Sequence, residues 1–234
     1  MFAVNQSLQT YYFSGGTSQL LSNTSNIFKL TSYSNGNGIA AFRNTLATTY
    51  SMTYPEVFVP CFKDDSKILC FKNDVEVYVN VQDIRKGDLV KTLKNGYVPV
   101  NMIGTTKLYN SGNNLRSKNK LYRCSRENYP ELTEDLIITG CHSILVDDFK
   151  NETEKELTIE VNGDTFVTDR KYRLPACVDD KATPYEIEGL YNIWHIALDH
   201  HDYYMNYGIF ANGLLVETCS MRNLKDLSGM TLID

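Results

Sequence analysis

Cys61 stands directly after Pro60, and further along the chain Thr139-Gly140-Cys141-His142 sets a hydroxyl three residues ahead of an imidazole. A thiolate can attack a carbonyl and so divide one difficult acyl transfer into two easier ones. An amide nitrogen departs only once it is protonated, and a nearby imidazolium can supply that proton. Each feature alone has a plainer reading: a cysteine is most often a small buried hydrophobe, and T-x-x-H is a short pattern. Three of the four histidines, His195, His200 and His201, gather in one stretch with Asp199 and Asp202. A metal site built from them is disfavoured, because adjacent residues of a strand point to opposite faces. The six cysteines, at 61, 70, 124, 141, 177 and 219, are widely spaced without a C-x-x-C pair. Neither a zinc knuckle nor a disulfide scaffold is therefore expected. Free thiols in a reducing compartment are the expectation, with no metal and no cofactor.

The elements that must position these groups read as strands. KILCF (67–71), VEVYVNV (75–81), DLVKTL (88–93), YVPVNMIG (97–104), DLIITG (135–140), HSILV (142–146), LTIEV (157–161), NIWHIAL (192–198), NYGIF (206–210) and LLV (214–216) are alternating or β-branched runs. Turn signals such as Lys94-Asn95-Gly96 and Asn162-Gly163 separate them. Only the tail around Met221–Leu227 reads as helical, and the polar stretches 108–120 and 147–156 read as exposed loops. This succession predicts an all-β domain of short antiparallel strands.

Charge divides the chain at the same cysteine. Residues 1–60 carry only Lys29, Arg43 and Glu56, amid Ser, Thr, Asn, Tyr and Gly, whereas residues 61–234 carry the other 48 charged side chains. The expected organisation is a low-charge N-terminal segment over 1–60, a domain over 61–220 and a short tail over 221–234. A formal net charge of −5 without any basic block argues against a nucleic-acid partner. The start lacks a basic and apolar leader, and no apolar run is long enough to span a bilayer. An intracellular location is expected.

Three ordered stretches resemble the Hint family, the autoprocessing domains of inteins and hedgehog proteins. The first is Cys61 with its following strand and the I-x-x-G-D-x-V hairpin Ile84-Arg85-Lys86-Gly87-Asp88-Leu89-Val90. The second is Thr139 to His142, matching the family's T-x-x-H element. The third is the closing block, with its His201-Asp202-Tyr203 step, the Asn212-Gly213 turn and the last strand Leu214-Leu215-Val216. The wording of that block also resembles Hint domains of large DNA viruses, which implies a cytoplasmic, virus-factory or virion setting. The resemblance implies a horseshoe-like, pseudo-two-fold fold of short antiparallel strands. It further implies that Cys61 attacks the Pro60 carbonyl in an N-to-S acyl shift, with residues 1–60 as the substrate. In that scheme His142 contacts and protonates the scissile amide, Thr139 helps polarise it, and strain around residues 60–61 offsets part of the thioester's cost. His201 and His195 become acid/base helpers and Asp202 an activator of the acyl acceptor.

The match breaks at its end. Inteins close by cyclising an asparagine behind a histidine, and here the corresponding residues are Val216-Glu217-Thr218-Cys219. Cys219 holds the place of the downstream nucleophile, yet without the asparagine full splicing is not expected. The roughly 15 residues beyond it are too few for a sterol-binding region of hedgehog type. Single-turnover self-cleavage, with water or a small nucleophile as acceptor, is the expected outcome. Pro60 crowds the attacked carbonyl and predicts slow cleavage. The alternative is a Hint fold that has lost its chemistry and serves as a structural or interaction module. A papain-like hydrolase is disfavoured, because Cys61 precedes strands where that class needs a helix start.

Overall fold

Period-two alternation dominates the chain beyond Pro60, and in a computed structural model it becomes an almost wholly antiparallel β structure. Residues 2–4, 10–12 and 60–233 are described. The chain divides into two units between Glu56 and Val57. In the first unit β1 (Phe2–Val4) and β2 (Thr10–Tyr12) pair antiparallel, with Phe2 opposite Tyr12. The rest of the low-charge segment, residue 1 and residues 5–9 and 13–59, lies outside the described residues.

The second unit begins with β3 (Phe62–Lys63), β4 (Lys67–Lys72), β5 (Val75–Asn80), β6 (Leu89–Lys91) and β7 (Tyr97–Asn110). It continues with β8 (Leu121–Cys124), β9 (Leu136–Thr139), β10 (Ser143–Val146) and an α-helix, α1 (Glu152–Asn162). After these come β11 (Val167–Thr168), β12 (Lys171–Pro175), β13 (Thr183–Pro184), β14 (Gly189–Leu198), β15 (Gly208–Ala211), β16 (Leu214–Glu217) and β17 (Thr231–Ile233). The strand order is β11-β12-β10-β16-β15-β4-β6-β7-β14-β3-β9-β8-β13, with β5 added on β4 and β17 on β7. No helix among the described residues is long and apolar enough to cross a membrane.

Strand β7 joins the two halves of this order. Its first residues pair with β6, Val98 opposite Val90, while the rest runs beside β14 from Val100 to Asn110. On its far edge β14 receives β3, with Trp194 opposite Phe62, and β3 in turn pairs with β9 through Phe62 and Ile138. The two residues of β3 are thus held between long neighbours on both sides. Asp64 extends the clamp by accepting hydrogen bonds from Trp194 Nε1 and from Asn192 Nδ2. The T-x-x-H run follows directly at the end of β9, so sheet pairing carries Thr139 to Cys61.

Two tight turns justify their sequence signals. Gly87 has φ +90°, and Asp88 Oδ2 accepts the Arg85 N–H at 2.9 Å, which closes the I-x-x-G-D-x-V hairpin. Asn212 and Gly213 both take positive φ between β15 and β16. The Asn212 side chain accepts from Lys67 N at 2.6 Å and donates to Asp135 O at 2.9 Å, tying β4 to the approach to β9.

The stretch 147–161 departs from its expected loop and strand. Asn151 Oδ1 accepts the Glu154 N–H at 2.9 Å as an N-cap, two glutamates occupy the first turn, and Gly163 closes the helix at φ +88°. LTIEV is therefore helical, and Asn162-Gly163 is a helix stop rather than a hairpin turn: capping at both ends outweighs the β-branched residues between. The tail turns helically over Asn223–Leu227 and then returns as β17, pairing Leu232 with Gly104 of β7.

The Asn212-Gly213 turn yields a stability prediction. A Cβ on Gly213 would lie 2.3 Å from the Glu131 carbonyl oxygen at φ +101°. Gly213→Ala should cost about 2 kcal/mol or more in urea unfolding, through left-handed strain and overlap with main chain. An unchanged midpoint would show that the turn is not held as described.

Candidate active site around Cys61

Cys61 is fully buried, in an apolar group with Ile193, Ala197, Cys219, Met221, Leu224 and Met230. Its Sγ lies 4.0 Å from Met230 Sδ. Burial pushes the thiol pKa well up, and the neighbouring thiols of Cys141 and Cys219 push it further in the same direction. At rest this sulfur carries its proton.

The main chain of Cys61 is gripped by Thr139. The Cys61 N–H donates to Thr139 Oγ1 at 2.9 Å, and the Cys61 carbonyl accepts the Thr139 N–H at 2.9 Å. That first nitrogen belongs to the Pro60–Cys61 peptide bond, so the threonine hydroxyl touches the atom that must leave if the bond breaks. Cys61 is not among the residues with left-handed backbone, and no strain of that kind is stored beside the bond.

His142 is buried under the same corner, positioned by its N–H to Thr139 O at 3.0 Å and by Ala176 N–H to its own carbonyl at 2.9 Å. Its ring centroid is 4.4 Å from that of Phe62 and 5.2 Å from that of His195, nearly edge to face. Among the described residues, neither ring nitrogen of either histidine has a partner with hydrogen-bond geometry. Burial lowers the His142 pKa to about 3, and the facing carbonyls of Cys61 and Glu217 offset only part of that. Burial also holds His195 well below the usual histidine range, and His142 adds to the effect. The imidazolium expected from the sequence is thus a neutral imidazole, because a cation here would lack both water and a carboxylate partner. It must accept a proton before it can give one.

The other expected residues divide. His195, on β14 opposite Gly104, joins this buried group, as does Cys219, whose N–H donates to Ile196 O at 3.1 Å. His201 and Asp202 do not: both are exposed in the turn between β14 and β15. There Asp202 N–H donates to His200 Nδ1 and its Oδ1 accepts from Tyr204 N, each at 2.9 Å. Asp202 and His200 shape this turn, and the His201 ring lies against that of His200 with centroids 4.1 Å apart.

Pro60 opens onto a cleft of about 250 Å³ shared with Cys141, Ser143, Arg173, Glu217 and Cys219 among others. Glu217 is buried and pairs with Arg173, Nε to Oε2, at 3.1 Å; burial still raises its carboxyl pKa. Sequence reasoning passed over Cys141, Arg173, Glu217 and Met230 as site residues. Cys141 had a visible signal, lying inside the T-x-x-H run; the Arg173–Glu217 pair had none, since only the pairing of β10 with both β12 and β16 brings those strands together.

No protein-family model and no curated protein sequence matches the chain. Among solved structures it is similar to the crystal structure of gp41-1 intein, at 14% identity over 68% of this chain and 98% of that one, with a TM-score of 0.34. A triple variant of that intein matches at 12% identity over the same shares, with a TM-score of 0.33. The functional reading therefore rests on the residues of this chain.

The neutral histidine sets a pH dependence. A histidine whose pKa falls on folding takes up its proton preferentially in the unfolded chain, so its contribution is complete above about pH 6.5 and is lost as pH falls toward 3. From His142 alone, stability should drop by about 2 kcal/mol between pH 7 and pH 5. Urea unfolding at the two values should show that loss in the parent and a correspondingly smaller one in His142→Gln. Equal losses in both proteins would contradict the neutral buried ring.

Proposed function

We propose that this chain carries a Hint-type self-processing domain that acts once, on its own Pro60–Cys61 bond. The observation that carries the reading is the contact of Thr139 Oγ1 with the nitrogen of that bond, 2.9 Å away, at a corner where Cys61 and His142 are both buried and the His142 ring faces the Cys61 carbonyl. In the proposed step the neutral His142 imidazole takes the Cys61 thiol proton as the sulfur attacks the Pro60 carbonyl carbon. The tetrahedral intermediate collapses as His142 returns the same proton to the nitrogen held by Thr139. A C–N bond has then been exchanged for a C–S bond, with the proton conserved, leaving a thioester and a free amine on Cys61. Hydrolysis, or transfer to a small amine, releases residues 1–60.

Splicing lies outside this proposal. The residue immediately before Cys219 is Thr218, not asparagine, and it is fixed by the Tyr207 N–H on its hydroxyl at 2.9 Å and by Asn206 Nδ2 on its carbonyl at 2.6 Å. The protonated, enclosed thiol makes the first step slow. That same enclosure favours the second reading, a structural module whose Cys61 is only a core residue.

Incubation of the full chain with dithiothreitol or hydroxylamine is expected to yield fragments 1–60 and 61–234 by intact-mass spectrometry, with residues 217–219 still joined. His142→Ala should slow release about 100-fold or more, the scale of a lost acid/base group, and Cys61→Ala should stay whole. If the parent and Cys61→Ala remain equally intact over days from pH 6 to 9, the structural reading replaces this one.

A further inference from the structure

We propose that Cys141 is a second acyl carrier, which takes the Pro60 acyl group from Cys61 by thioester exchange and holds it at the cleft. The inference rests on the self-processing reading above. Of the six cysteines Cys141 is the one that is not buried. Its Sγ lies 3.6 Å from Thr139 Oγ1, the same oxygen that holds the Cys61 nitrogen at 2.9 Å. One hydroxyl therefore touches both the nitrogen that would leave and the second thiol. Cys141 and Pro60 also line one cleft. The Cys61 sulfur, by contrast, faces Met230 and has no exposed surface.

The exchange balances without any outside reagent. The Cys141 sulfur attacks the thioester carbonyl, a new C–S bond forms, and the bond to Cys61 Sγ breaks. The proton leaving Cys141 ends on the Cys61 sulfur. One thioester replaces another, so the step is close to thermoneutral, and its rate follows the thiolate fraction of the attacking group. Packing around Cys141 pushes its pKa up to about 12, and the exchange should therefore accelerate with rising pH across the neutral range.

The transfer also answers a problem that the first step creates. A thioester on Cys61 sits beside the amine just released from the same residue, and the amide is the lower-energy product of their recombination. Return is intramolecular and fast in such an arrangement. Passing the acyl group to Cys141 removes it from that residue and places it where water or an amine can reach.

Pepsin digestion of acid-quenched samples of the full chain tests this without any substitution. The expected product is a branched peptide joining the Pro60 carbonyl to Cys141 Sγ, with a free α-amine at Cys61 and an unchanged intact mass before digestion. Cys141→Ala should lack the branch and release residues 1–60 about tenfold more slowly without hydroxylamine. Hydroxylamine-dependent cleavage at Pro60–Cys61 with the acyl group found only on Cys61 at every time would overturn the relay and leave the N-to-S shift standing. No cleavage under any condition would overturn the shift, and the relay with it.

Discussion

Two hydrogen bonds between the main chain of Cys61 and Thr139 govern the rest of the site. They exist because β3, only two residues long, is inserted between β14 and β9 and has no register of its own to choose. Long strands elsewhere supply the rigidity: β7 and β14 run together over ten paired positions from Leu198 back to Gly189. A short strand between strong neighbours can place one peptide bond accurately while contributing little area itself. The geometry of the Pro60–Cys61 nitrogen is thus inherited from residues far away in sequence.

Burial is the second constraint, and it acts together on the enclosed thiols, histidines and carboxyl of the site. The thiols of Cys61 and Cys219 are pushed up, the Glu217 carboxyl is raised, and His142 and His195 are pushed down. All of these shifts favour the uncharged form, as a low-dielectric pocket must. A site tuned this way holds its proton on sulfur and its lone pair on nitrogen. Proton transfer between them would create two charges in a poor solvent for charge, and so would slow the proposed first step.

Much of this was legible in the residues. Period-two runs located β4, β5, β6, β10 and β14, and the glycine and asparagine turns fixed the hairpins around Gly87 and Gly213, because those signals are local. Strands β3, β8, β12 and β17 were not visible, since two to five residues do not establish a period and their pairing is supplied by distant partners. The α1 helix is masked in the sequence because the β-branched Thr158, Ile159 and Val161 resemble a strand, whereas the Asn151 cap and the Gly163 stop decide the local fold. At the site, Cys61, Thr139 and His142 could be marked by type and spacing. The charge state of His142 could not, as it depends on what surrounds the ring in three dimensions. His201 and Asp202 were marked by residue type as well, and the fold leaves both exposed in the turn between β14 and β15, away from the buried cluster.

The wall over Cys61 comes from the other extreme of the described chain. Met221, Leu224 and Met230 complete its apolar surroundings, and β17 secures them by pairing with β7. A ribosome makes these residues after every other part of the pocket. Until these residues are made the thiol lacks that part of its cover, which closes when the strand carrying Leu232 docks on β7. Chain elongation itself therefore divides the life of this sulfur into a partly covered period and a sealed one.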